Sequence, residues 1–189
     1  MIRIGIVGDI GSGKTFVANK FGYPVFNADL EVNKLYKTDR NCFRKLNKVL
    51  PKYISYFPIT KESISLAILK KNSNLKKIIK IVHPLVKKKM NKFLVKNKNK
   101  KAVILDIPLF LENKINKKKD IIVFVDSKNN KILKRLKKRK NFNIKLKNKF
   151  KKIQLPLEFK KKKSQFIVRN NFSNKFLKKD IKRVLSKIL

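Results

Sequence analysis

Residues 2–7, IRIGIV, form a short apolar run, long enough for a buried strand and too short for a helix. After a glycine-bearing stretch, TFVANKF continues at helical spacing. PVFNAD at 24–29 is expected to be a second strand, ending on polar residues. From about 30 to 98 the pattern is helical and polar: LEVNKLY, NCFRKLNKVL, ESISLAILKK, then LKKIIKIVHPLVKKKMNKFLV. Pro84 in the last run is expected to start a new helix, because proline is tolerated in a first turn. AVILDIP at 102–108 and IIVFVD at 121–126 are the third and fourth strands. KNNKILKRLKKRK is the helix after them, QFIV at 165–168 a fifth strand, and NKFLKKDIKRVLSKIL a closing amphipathic helix. The lysine-dense stretch 140–163 has few apolar positions and is expected to be a helical, mobile excursion outside the core. Short apolar strands alternating with helices predict an α/β fold with a parallel sheet covered on both faces. The 189 residues suffice for one such domain, and no internal repeat is present.

The stretch between the first strand and its helix is GDIGSGKT, residues 8–15. All five glycines of the chain fall between Gly5 and Gly22, three of them in this octapeptide. Gly8-x4-Gly13-Lys14-Thr15 is the P-loop pattern, placed between a strand and a helix as its mechanism requires. Backbone amides must wrap a phosphate closely, so a Cβ at several positions would clash. The helix N-terminus beyond adds free N–H groups. Lys14 can then reach the β and γ phosphates, and the Thr15 hydroxyl can bind Mg²⁺. A GTPase needs an N-K-x-D element, and the nearest string, Asn116 to Asp120, is one residue too long. Transporter-type ATPases need a later glycine-rich signature, and no glycine follows Gly22. A small-molecule kinase survives both tests.

Charge changes this picture less than its size suggests. The chain has 52 basic and 11 acidic residues, a formal net charge of +41. Only seven of the basic residues are arginine, and Asn, Ile and Phe abound beside Lys. These are residues with A/T-rich codons, so a biased genome accounts for much of the charge without a polyanionic partner. The single cysteine, Cys42, excludes an internal disulfide. The glycine loop begins at residue 8, leaving no room for a signal peptide, and no stretch reaches the ~20 apolar residues of a membrane span. A cytoplasmic location is expected.

Scarcity makes each acid informative. Asp29 ends the second predicted strand and Asp106 the third, so both should emerge at the carboxyl edge of the sheet beside the P-loop. Asp29 could accept the proton of an acceptor hydroxyl, or cap the helix beginning LEVNKLY. Asp106 either orders Mg²⁺ through water or holds the acceptor. Asp126 is expected to cap the helix after strand four, and Glu112 to face the same cleft. His83, the lone histidine, reads as structural, as a helix cap. Arg135 and Arg139 share a helix face, and either could stabilise charge on a transferring phosphoryl group.

Taken together, IGIVGDIGSGKTFVANKF, PVFNADLEV, IVHPLV, VILDIPLFLEN, VFVD with RLKKRKNF, and QLPLEFKKKKSQFIVRNN resemble, in order, the dephospho-coenzyme A kinase family. That resemblance implies a single P-loop kinase domain over 1–189 with a five-stranded parallel sheet. It implies a helical acceptor-binding region around 35–95 and a lid around 138–162. The reaction implied is ATP-dependent phosphorylation of the ribose 3′-hydroxyl of dephospho-CoA. Gly11, Ser12, Gly13, Lys14, Thr15 and Phe16 would bind ATP, with Asn170 in the segment near the adenine. Asp29 would be the catalytic base, assisted by Lys14 and the lid residue Arg139. Asp29, His83, Asp106, Pro108 and Glu112 would line the acceptor side, and Thr15 and Asp106 would serve Mg²⁺. The implied partners are the small molecules ATP and dephospho-CoA, with no specific nucleic acid and no membrane; oligomeric state stays open. The chain departs from the family at Asn27, where an acid is usual, at Asn33 for an arginine, at Ser164-Gln165 for Ala-Asp, and at Arg169 for an acid. The alternatives are another P-loop kinase of nucleosides or small metabolites and, from a different class, a nucleic-acid-binding NTPase.

Overall fold

The computed structural model describes residues 1–138, 142–172 and 174–189. The chain divides into two compact units, Met1–Asn27 with Lys96–Leu189, and Ala28–Val95.

The first unit holds one sheet of five parallel strands in the order β2-β3-β1-β4-β5. The strands are β1 (Ile2–Gly8), β2 (Val25–Asn27), β3 (Ala102–Asp106), β4 (Ile121–Asp126) and β5 (Phe166–Arg169). β3 is buried at every position, which is why AVILD reads as a continuous apolar run and not an alternating one. Alternation still sorts the faces of β1. Ile4 and Ile6 enter a core with Val17 and Ala18 of helix α1 (Lys14–Lys20) and Leu177, Ile181 and Val184 of helix α9 (Asn174–Ile188). Gly5 turns to the opposite face, where a Cβ would run into the ring of Phe110. Register brings Asn27 level with Asp106 and Asp126 level with Arg169. The carboxyl edge therefore carries the end of every strand, with β1 at the point where chain order reverses.

Two strands stop earlier than the pattern suggested. The second ends at Asn27, because Ala28 already begins helix α2 (Ala28–Thr38), and the third ends at Asp106. After α6 (Asn129–Lys137), the lysine-dense stretch contains α7 (Ile144–Lys152), with no buried residue, and α8 (Leu157–Lys163). α8 packs against β1 and β4 and buries Lys160, so this part belongs to the core, contrary to expectation.

The second unit contains α2, α3 (Arg40–Val49), α4 (Lys61–Lys70) and most of α5 (Asn72–Lys96). Asp39 caps α3 by accepting from the Cys42 amide at 2.8 Å, and Thr60 caps α4 through the Ser63 amide at 3.1 Å. α5 buries Asn74, Ile78 and Val82 at four-residue spacing. Pro84 does not start a helix; it lies inside α5. Lys80, Pro84 and His83 are exposed, so the carbonyl freed by the missing N–H can turn to water. Hence His83 is mid-helix and caps nothing. Among the described residues no helix is long and apolar enough to cross a membrane.

Candidate active site

The loop after β1 adopts backbone that only glycine enters cheaply. Gly13 has φ +89° and serves as N-cap of α1, and a Cβ there would collide with Asn170 Nδ2. Gly11 packs against Ile132 and Leu136 of α6, where a Cβ would lie 2.9 Å from Leu136 Cγ. Within the loop the Ser12 amide donates to the Asp9 carbonyl at 3.2 Å. Lys14 Nζ donates to the Asp9 carbonyl at 2.8 Å and the Gly8 carbonyl at 3.4 Å, so its ammonium is held over the loop. Phe16 leans against the core, with the Lys20 ammonium 5.4 Å from its ring centre.

Asp106 is the acid this loop meets. The Thr15 hydroxyl donates to Asp106 Oδ2 at 2.6 Å, and Asn27 Nδ2 donates to the same oxygen at 2.6 Å. Asp106 is 4% exposed, and burial raises its pKa above the ordinary 3.8. The Thr15 bond, the Lys14 charge and the Asn27 bond act in the opposite direction. An ionised oxygen that desolvation disfavours, beside a hydroxyl, suits a hard cation, so the donor set fits Mg²⁺. Among the described residues no three His, Cys, Asp or Glu side chains cluster as a metal cage. A magnesium ion that takes most of its ligands from phosphate and water needs none. At one of the departures, Asn27, the side-chain amide donates to Asp106 where a second carboxylate would repel it.

On the other side of the loop, Asn170 is fully buried, its amide donating to the Ser12 carbonyl at 2.8 Å. Ser127, directly after β4, donates its hydroxyl to the same carbonyl at 2.9 Å. The Arg135 guanidinium stands 4.8 Å from the ring centre of Phe172 and close to Gly13. Sequence reasoning did not single out Ser127, Phe172 or Lys160. A short polar residue closing a strand was the available sign for Ser127.

The other predicted residues sit as follows. Pro108 is exposed in the turn after β3, while Phe110 of that turn is buried. Glu112 Oε1 accepts from the Lys160 ammonium at 2.7 Å and the Leu155 amide at 3.1 Å. Its carboxylate is thus engaged with the segment leading into α8. α6 begins after Lys128, so Asp126 lies ahead of the cap position and does not cap it. Asp29 is exposed in the first turn of α2, in the second unit. His83 belongs to that unit too, and desolvation lowers its pKa below 6.5. Arg139 lies outside the described residues.

A family model described as dephospho-CoA kinase matches residues 2–175. The dephospho-CoA kinase of Wolbachia pipientis wMel is 33% identical over 190 residues, covering 98% of this chain and 97% of that one. That of Rickettsia typhi is 32% identical, covering 100% and 98%. A solved structure from Thermus thermophilus superposes with a TM-score of 0.81 at 25% identity, covering 100% and 98%. The dephospho-CoA kinase from Campylobacter jejuni shares the fold, with a TM-score of 0.62 at 21% identity, covering 98% and 96%. Matched by that model across all but its last helix, and end to end by relatives about a third identical to it, the chain belongs to the dephospho-CoA kinase family, a family of kinase transferases.

Proposed function

We propose that this chain transfers the γ-phosphoryl group of ATP to the ribose 3′-hydroxyl of dephospho-CoA, giving coenzyme A and ADP, the last step of coenzyme A biosynthesis. The observation that carries the reading is the Lys14–Thr15–Asp106 arrangement, in which the loop's hydroxyl donates to a buried carboxylate at the end of β3 while the Lys14 ammonium, held on the loop carbonyls, acts on that carboxylate through its charge. The amides of Gly11 to Phe16 receive the phosphates, and the Lys14 ammonium moves from the loop carbonyls to the β and γ oxygens. Thr15 and Asp106 would hold Mg²⁺, which when bound neutralises phosphate charge. Asp29 accepts the proton of the 3′-hydroxyl as its oxygen bonds to the γ phosphorus. The bond to the β–γ bridging oxygen breaks and ADP leaves with that electron pair. Arg139 and Arg135 supply positive charge to the equatorial oxygens. Pro108 and His83 line the acceptor side, and Glu112 serves it by fixing the turn after β3.

The helical unit, including the region around 35–95, takes the acceptor, and the stretch around 138–162 covers the nucleotide. The enzyme works in the cytoplasm, without a membrane or a specific nucleic acid. The test is ADP release with dephospho-CoA, AMP or adenosine as acceptor, with and without Mg²⁺. Turnover confined to dephospho-CoA and dependent on the metal is expected. Preference for AMP or adenosine, or ATP hydrolysis that requires RNA, would replace this reading.

A further inference from the structure

The conformation of the nucleotide loop depends on two side chains that lie behind it. Ser12 and Gly13 share one planar trans peptide, so the Ser12 carbonyl and the Gly13 N–H point in opposite directions. Whatever holds that carbonyl therefore aims that amide. Two donors hold it: Asn170 Nδ2 at 2.8 Å and the Ser127 hydroxyl at 2.9 Å. Both are anchored by their own strands. The Asn170 backbone N–H donates to the Asp126 carbonyl at 2.8 Å, extending the β4–β5 pairing by one bond, and Asn170 Oδ1 accepts from the Phe172 backbone N–H at 3.0 Å. The Ser127 hydroxyl also lies 3.1 Å from the Asn170 carbonyl, and its single proton serves either oxygen. Asn170 is fully buried and both ends of its side-chain amide are engaged, so it is committed to the backbone on either side of it.

We propose that Ser127 and Asn170 are positioning residues for ATP, holding the Ser12–Gly13 peptide so that the Gly13 amide faces the phosphates. This rests on the loop being the nucleotide site. It assigns Asn170 to the phosphates through Ser12, and gives Ser127 a part in a reaction it does not touch. The two act on one oxygen, so their effects are not additive.

The experiment uses the full chain with Ser127→Ala, Ser127→Thr, Asn170→Asp and the double variant Ser127→Ala/Asn170→Asp. ATP affinity is measured by calorimetry, both KM values by ADP release, and folding by thermal melting. Ser127→Ala removes one neutral donor and is expected to weaken ATP binding about fivefold, the size of one such bond. Ser127→Thr keeps the hydroxyl and restores binding. Asn170→Asp puts a carboxylate against the Ser12 carbonyl, and ATP affinity falls by about tenfold or more. In each variant the KM for dephospho-CoA stays within about twofold of wild type. A merely structural role would lower the melting temperature and leave ATP affinity alone, or raise both KM values together. Either result overturns the proposal, as does Ser127→Ala binding ATP like wild type. Wild-type protein that binds ATP but ignores dephospho-CoA would refute the acceptor assignment alone. Wild-type protein that does not bind ATP would refute both.

Discussion

Lys160 is 3% exposed, the one buried lysine among the described residues, and its partner Glu112 is 9% exposed. Lys160→Met removes the ammonium and leaves the carboxylate with the Leu155 amide as its remaining partner in this pair. Breaking one side of a buried ion pair costs about 3–5 kcal/mol. The Leu155 bond, and the little water that reaches Glu112, place this case near the lower figure. For a chain of this length ~3 kcal/mol lowers the melting temperature by roughly 6–12 °C. Glu112→Gln strands the ammonium instead and is expected to cost a similar amount. The double variant Glu112→Gln/Lys160→Met removes both charges, while the glutamine oxygen still accepts from Leu155 and the methionine fills the lysine stem's space. It should recover to within about 1 kcal/mol of wild type. Thermal and urea melts of the four proteins, followed by circular dichroism, give the cycle directly. A Lys160→Met protein that melts within about 2 °C of wild type, or a double variant less stable than either single, would refute the buried-pair account of α8.

Lys14→Ala is expected to lower kcat by about 10² to 10³ in a folded protein, the share of a single electrostatic stabiliser; wild-type turnover would remove the loop from the chemistry. Asp29→Asn should lower kcat by roughly 10² to 10⁴ with a modest change in KM. A lower melting temperature with normal turnover would instead make it a helix-start residue. Burial raises the pKa of Asp106, so its contribution to the stability of the ligand-free protein is fully present below pH 3.8 and is lost as pH rises through the raised value. Asp106→Asn should therefore melt higher than wild type at pH 7, with the gap closing toward pH 4, while turnover and the Mg²⁺-dependent rise in melting temperature are lost. An Asp106→Asn protein that melts lower than wild type at pH 7 would reverse the sign of this reasoning.

The strands and the loop were legible because their signals are local: an apolar run, then glycines, then a helical period. The misread features turn on which side faces water. Pro84 looks like a helix start from its neighbours, but the exposed face of α5 lets a helix pass through it. Lys160 is indistinguishable by composition from the lysines flanking it at 161–163, and only its meeting with Glu112, 48 positions earlier, marks it. Asp106 and Thr15 were legible as separate residues, one at a strand end and one at a helix start; that one hydroxyl would lie 2.6 Å from that carboxylate depends on β3 pairing beside β1. Ser127 and Asn170 converge on a backbone carbonyl, a target that has no sequence signature.

The crowding of glycine into the first 22 residues leaves every later turn to side-chain-bearing residues. Leu109, Lys114 and Phe172 adopt φ of 58°, 50° and 60°, a region in which a Cβ is disfavoured. A chain with so little glycine has fewer conformations to lose when it folds, which favours the native state through the unfolded one. The opposing cost appears in the folded state as left-handed backbone at those three residues. Leu109 and Phe172 lie three residues beyond the carboxyl ends of β3 and β5, so their torsional strain sits at the sheet edge that also carries the glycine loop.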